Sequence, residues 1–208
     1  MTGLSQDLNP APAHDSDQRR HIVLIGLMGA GKSCVGRRLA TRLGWDFVDA
    51  DSEIETAAGC SIPEIFERHG ERYFRDGERR VIARLLAGER PQVIATGGGA
   101  YMDAETRAAI ARAGVTVWLR ADLDVLVRRT ARRDNRPLLK KDNPRRVLKD
   151  LMEQRYPIYA QADLTVDSAD GPLEASVTRV LQALQDEGWL PSDANKAAAS
   201  NGETRERS

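Results

Sequence analysis

Gly26-Leu27-Met28-Gly29-Ala30-Gly31-Lys32-Ser33 is the stretch that decides how this chain folds. Its spacing, G-x-x-x-x-G-K-S, is that of a loop that wraps the phosphates of a nucleoside triphosphate. The flanking residues agree. His21-Ile22-Val23-Leu24-Ile25 is a short apolar run rich in β-branched side chains, the pattern of a buried parallel strand. Cys34 to Leu43 carries apolar residues at helical spacing. Strand, glycine loop and helix come in the order that phosphate binding requires. The glycines let successive backbone N–H groups turn inward without Cβ clashes, and the helix N-terminus adds partial positive charge. Lys32 reaches the β- and γ-phosphates from such a loop, and the Ser33 hydroxyl is placed to ligate Mg²⁺.

Outward from the loop, short apolar runs alternate with helical ones. Trp45-Asp46-Phe47-Val48 leads into Asp49-Ala50-Asp51, and Gln92-Val93-Ile94-Ala95 leads into Thr96-Gly97-Gly98-Gly99. Val115-Thr116-Val117-Trp118-Leu119 leads into Arg120, and Asp163-Leu164-Thr165-Val166 precedes Asp167. Helical patterns cover Ser33–Leu43, Asp51–Ala58, Ile62–His69, Glu71–Ala87, Ala104–Ala113, Leu123–Arg132, Pro144–Tyr159 and Pro172–Gln185. Strands separated by helices predict an α/β fold: a five-stranded parallel sheet with helices on both faces. Ligands of such sheets bind beyond the carboxyl ends of the strands. Asp49 and Asp51 end the second strand, and Gly97, Gly98 and Gly99 end the third. Topology therefore predicts that these clusters share one crevice with the phosphate loop.

Met1 to Arg20 is rich in Asp, Ser, Pro and Ala without periodicity, and Pro191 to Ser208 has the same character. Both read as disordered tails around one domain, 21–190. Lys plus Arg and Asp plus Glu each number 31 among 208 residues, so the formal charge cancels. That balance argues against a general binder of nucleic acid or anionic membranes. No apolar stretch approaches a membrane span, and Met1 to Arg20 lacks the apolar core of a signal peptide. Cys34 and Cys60 make no disulfide framework, and three scattered histidines make no structural zinc site. The expectation is a cytoplasmic protein.

Chemistry beyond the loop centres on four places. Asp49 and Asp51 put two carboxylates beside the Mg²⁺ position, where one holds metal-bound water and the other orients or deprotonates an acceptor hydroxyl. Helix capping by Asp51 accounts for the same pattern equally well. Gly97-Gly98-Gly99 offers bare backbone to a ligand, or is a plain turn. Three arginines stand apart from those on solvated helix faces (Arg37, Arg38, Arg79, Arg80 and Arg84). They are Arg75 after Tyr73-Phe74, Arg136 in Asp134-Asn135-Arg136-Pro137-Leu138-Leu139, and Arg155 in Gln154-Arg155-Tyr156-Pro157. Guanidinium forks suit carboxylate and phosphate oxygens, and the pattern does not choose among the three. The polar, basic, proline-bearing stretch 132–143 has the character of a lid over the triphosphate.

Taken together, these motifs resemble the shikimate kinase family, small P-loop kinases of the nucleoside-monophosphate-kinase-like group. The resemblance runs from about Ile22 to Gln185 and rests on the phosphate loop, Asp49-Ala50-Asp51, Phe74-Arg75, Gly97-Gly98-Gly99, Arg136-Pro137-Leu138-Leu139 and Arg155-Tyr156-Pro157-Ile158-Tyr159. It departs at Cys34, where the family usually has Thr, and at Asp76-Gly77-Glu78-Arg79, where a bulky residue usually precedes an acidic pair. The resemblance implies ATP-dependent phosphorylation of the shikimate 3-hydroxyl, in the chorismate route to aromatic amino acids, by a monomer. It implies that Gly29, Ala30, Gly31, Lys32, Ser33 and Cys34 hold ATP phosphates and that Asp49 sits near Mg²⁺ through water. Asp51 would accept the proton of the 3-hydroxyl. Arg75 and Arg155 would clamp the substrate carboxylate, Gly97, Gly98 and Gly99 would contact ring hydroxyls, and Arg129 would lie near the adenine. Arg136 would swing onto the phosphates. Two rivals remain at this stage: a kinase of the same fold for another acceptor, such as gluconate, and a nucleotide-binding regulatory protein without catalysis.

Overall fold

The strand His21–Ile25 (β1) is buried along its whole length, as its apolar run predicts. Successive side chains of a strand point to opposite faces, so full burial means that both faces of the sheet are covered. The computed structural model describes residues 21–131 and 143–191. Its other strands are Asp46–Asp49 (β2), Gln92–Ala95 (β3), Gly114–Arg120 (β4) and Leu164–Asp167 (β5). They form one sheet in the order β2-β3-β1-β4-β5, and every pairing is parallel.

The register places the site. Leu24 of β1 and Asp49 of β2 both pair with Ala95 of β3. Ile25 pairs with Trp118 of β4. The turns leaving β1, β2 and β3 therefore start side by side at one edge, with the central strand feeding the phosphate loop. Leaving β1, the chain passes over the position of β3 to form β2, so the loop sits where the strand order switches, the ligand position of open parallel sheets.

The helices are Lys32–Leu43 (α1), Ala50–Ala58 (α2), Ile62–Leu86 (α3), Ala104–Ala113 (α4), Leu123–Ala131 (α5), Pro144–Tyr159 (α6) and Leu173–Asp186 (α7). A short 3₁₀ turn at Ala100–Met102, which the sequence pattern does not announce, follows the glycine triplet. The two helices expected at 62–69 and 71–87 are one element broken by Gly70, whose φ of 78° and ψ of 175° are not helical. A capping box starts α3: the Ser61 hydroxyl accepts from the Glu64 N–H, and the Glu64 carboxylate accepts from the Ser61 N–H. The segment beyond Gly70 carries Phe74, Arg75 and Glu78. Phe74 is buried with Ile54, Ile65 and Val81 in a small core between α2 and α3, separate from the main core around the sheet. This second core fixes the face on which Arg75 and Glu78 stand.

Among the arginines assigned to solvated faces, Arg38 joins Arg42 on Glu174, tying α1 to α7. At these exposures each such pair contributes about 0–1 kcal/mol. No described helix is long and apolar enough to cross a membrane. The expected lid, with Arg136, and the two expected tails lie outside the described residues, Asn143 and Pro191 apart.

Candidate active site

The phosphate loop turns from β1 into α1 through backbone that side chains resist. Gly31, the N-cap of α1, has a φ of 95° and Gly29 a φ of 84°. At such angles a Cβ would clash with the chain, so glycine is required there. The Lys32 ammonium donates to the carbonyls of Gly26 (2.8 Å) and Leu27 (3.2 Å). It therefore lies across the loop it belongs to. Ala30 is fully buried beneath the loop. Beside the loop is a cavity of about 410 Å³ lined by Gly29, Gly31, Lys32, Ser33, Cys34 and Arg129 among others. The predicted nucleotide contacts are thus gathered in one place, Arg136 apart, which lies outside the described residues; Arg129 donates to the carbonyls of Gly29 and Ala169.

The Ser33 hydroxyl donates to Asp49 Oδ2 at 2.7 Å. The other oxygen of Asp49 accepts from the Asp51 N–H at 3.2 Å. The capping residue of α2 is therefore Asp49 and not Asp51. The helix starts one residue earlier than its pattern predicts, and this shift moves the cap. Asp51 is released from the structural role that competed with catalysis.

Asp51 instead faces the glycine triplet. A Cβ built on Gly97 would lie 2.6 Å from Asp51 Oδ1 and 2.9 Å from Glu78 Oε1. One on Gly98 would lie 3.1 Å from Arg155 Nη1 and 3.5 Å from the Gly26 carbonyl oxygen. One on Gly99 would lie 2.5 Å from Arg75 Nη1. Real Cβ atoms essentially never come as close as those at Gly97 and Gly99, and the one at Gly98 would be tight, so each glycine makes room for a different charged side chain. The Gly26 carbonyl, which also receives Lys32, joins this cluster to the phosphate loop. Asp51, the triplet and the loop meet at the strand ends, as topology predicts, and Arg75 and Arg155 stand against the triplet.

Two residues at this crevice have no assigned role in the sequence reading. Glu78 is 3 % exposed, and its Oε2 accepts from Arg75 Nη1 at 2.7 Å. Burial pushes its carboxyl above the ordinary range and the neighbouring Asp51 adds to the rise, while Arg75 and Arg155 oppose it. Burial also works against the charge of Arg75, but hydrogen bonds to Glu78 and Glu71 hold its pKa above the usual arginine value. The ion pair favours both charges, and on the carboxyl burial outweighs it. Tyr159 is fully buried, and its hydroxyl donates to the Gly98 carbonyl. Burial raises its pKa, which keeps the donor proton in place. The i,i+3 spacing of Arg75 and Glu78 is the signal that points to their pairing. For Tyr159 the local sequence holds no such signal, because its partner is 61 residues away.

Against protein-family models, residues 28–185 match the one described as shikimate kinase. The chain belongs to the shikimate kinase family. A curated shikimate kinase of Paramagnetospirillum magneticum is 62% identical over 165 residues, covering 79% of this chain and 84% of that protein. One from Bradyrhizobium diazoefficiens is 57% identical over 166 residues, covering 80% of each. Among solved structures, shikimate kinase from Acinetobacter baumannii in complex with shikimate superposes with a TM-score of 0.78 at 39% identity, over 82% of this chain and 95% of that one. A gluconokinase from Sinorhizobium meliloti superposes with a TM-score of 0.56 at 21% identity, over 82% of this chain and 94% of that one, a likeness of fold alone. The chain is thus a small-molecule kinase of this family that uses ATP.

Cys34, where the family usually has Thr, is exposed at the cavity wall and in no disulfide. The thiol is therefore not packed under the loop. Iodoacetamide is expected to label Cys34, slow turnover, and do neither when ADP is bound. Peptide mapping by mass spectrometry with residual-activity assays checks this, and unchanged activity at full Cys34 labelling would contradict it.

Proposed function

We propose that this enzyme transfers the γ-phosphoryl group of ATP to the 3-hydroxyl of shikimate. The single observation that carries the reading is the glycine triplet with Asp51, Arg155 and Arg75 packed against its three positions, joined to the phosphate loop through the Gly26 carbonyl. A hydroxylated ring bearing a carboxylate matches that set: arginines for one end, an acid and bare backbone for the other. Gly29 to Cys34 hold the phosphates, and Lys32 exchanges its loop carbonyls for β/γ oxygens. Arg75 and Arg155 clamp the carboxylate, and the Gly97–Gly99 backbone meets the ring hydroxyls. Asp51 accepts the proton of the attacking hydroxyl. Arg129 lies at the base end of the nucleotide, and Arg136 acts on the phosphates from the segment 132–143.

The Ser33 hydroxyl and Asp49 carboxylate fit Mg²⁺: both are hard oxygen donors, adjacent to each other and to the loop. Ser33 would ligate the ion directly, and Asp49 would hold one of its waters. When bound, Mg²⁺ neutralises charge on the β- and γ-phosphates. The remaining work is positioning and charge stabilisation by Lys32 and the arginines. We further propose that residues 21–190 are the catalytic unit and that the enzyme acts as a cytoplasmic monomer.

A coupled assay of ADP release, with shikimate, gluconate or no acceptor, tests the reading. Turnover that depends on shikimate supports it, and turnover with gluconate alone or with neither would overturn it. The arginine roles have their own test. A charge-assisted hydrogen bond contributes about 1.5–3 kcal/mol, so Arg75→Ala should raise the shikimate concentration for half-saturation roughly ten- to a hundredfold. The ATP requirement should stay close to that of the wild type. Arg75→Lys should recover only part of the loss, because a point charge does not reproduce the fork. If Arg75→Ala lost ATP affinity and kept shikimate affinity, the two ends of the crevice would be reversed.

A further inference from the structure

Ser168 follows β5 and is 2 % exposed. Its backbone N–H donates to the Arg120 carbonyl at 2.6 Å, which fixes it to the end of β4. A hydroxyl has one proton to give and lone pairs to accept with. Ser168 uses both. Its Oγ donates to the Ala30 carbonyl at 2.8 Å and accepts from Arg129 Nη1 at 2.9 Å. We infer that the Ser168 hydroxyl is a positioning residue that couples the phosphate loop to Arg129 and thereby sets nucleotide affinity. This rests on the nucleotide reading of the cavity.

The coupling follows from peptide geometry. In a planar trans peptide the carbonyl of Ala30 and the N–H of Gly31 point in opposite directions. Holding the Ala30 oxygen outward on Ser168 therefore turns the Gly31 N–H toward the inside of the loop, where phosphate oxygens are bound. The same hydroxyl receives Arg129, whose other terminal nitrogen donates to the Ala169 carbonyl at 2.8 Å. One buried oxygen thus sets both the loop peptide and the guanidinium that stands beside it at the cavity wall. Without it, the Ala30 carbonyl loses a buried donor and Arg129 loses one of its three acceptors, and the loop is free to rotate that peptide.

ADP binding by titration calorimetry tests the inference in wild type, Ser168→Ala, Arg129→Ala and the double variant, each first checked for a cooperative melt. Ser168→Ala should bind ADP about tenfold more weakly. Its half-saturation for shikimate should stay within about twofold of wild type at saturating ATP. The double variant should be little worse than Arg129→Ala, because both changes break one coupled contact. Ser168→Cys keeps the shape but is a weak donor, so it should fall between wild type and Ala, and it serves as the reading if the Ala variant does not fold. Wild-type ADP affinity in folded Ser168→Ala would overturn the inference. So would equal losses for ADP and shikimate, or additive effects with Arg129→Ala. If wild type itself bound no ADP, the nucleotide reading would fall and the inference with it.

Discussion

Lys32→Met should remove nearly all phosphoryl transfer, lowering turnover by on the order of 10²–10³ or more. The ammonium starts on the carbonyls of Gly26 and Leu27 and lies within the loop that binds phosphate. Charge that develops on the transferring group then meets a fixed positive partner in a partly water-free crevice, where such contacts count most. Folding should suffer far less. The substitution keeps the length of the side chain and deprives two loop carbonyls of a donor, at about 1–2 kcal/mol. A coupled assay beside a thermal melt separates the two effects. Near-normal turnover in a folded Lys32→Met protein would remove the kinase mechanism.

Asp51→Asn should have the second largest effect, a fall in turnover of about 10²–10⁴, the range for a lost general base. Since Asp49 caps α2, stability should scarcely change at pH values below the ordinary carboxylate range. As pH climbs above that range it should rise slightly relative to wild type. The charge of Asp51 helps raise the pKa of buried Glu78. A carboxyl raised on folding contributes stability that is present at low pH and lost as pH climbs through its folded pKa. Neutralising Asp51 lowers that folded pKa toward the ordinary value and lessens the loss. Melting curves of both proteins between pH 5 and 9 test the sign, and activity per folded molecule tests the catalytic role. A large drop in melting temperature with unchanged activity would return Asp51 to a structural role.

The parts of this fold and site that the sequence makes legible are those whose chemistry is contiguous. The phosphate loop, the Asp49-Ala50-Asp51 pair and the glycine triplet each leave a strand end within a few residues. Alternation of apolar runs and helical patterns is enough to bring those ends together. The sequence pattern leaves Asp51 between capping and catalysis, and the cap falls on Asp49 because the helix begins directly at the turn from β2. Ser168 and Tyr159 were not legible for another reason. Their partners lie 138 and 61 residues away, so local pattern carries no trace of the contact. Glu78 lay between these cases, close to Arg75 in sequence but buried by the packing of Phe74 and its neighbours.

The three bare positions at Gly97, Gly98 and Gly99 have a consequence for how this enzyme can change. The strand end has no vacancy where a new side chain could reach an acceptor, because each site is already occupied from across the crevice by an acid or an arginine. Variation in acceptor choice must therefore enter through α2, α3 and α6, whose side chains fill those hollows, while the sheet edge stays a fixed mould. A catalyst built this way evolves from its helices inward, and its glycines are the last residues free to drift.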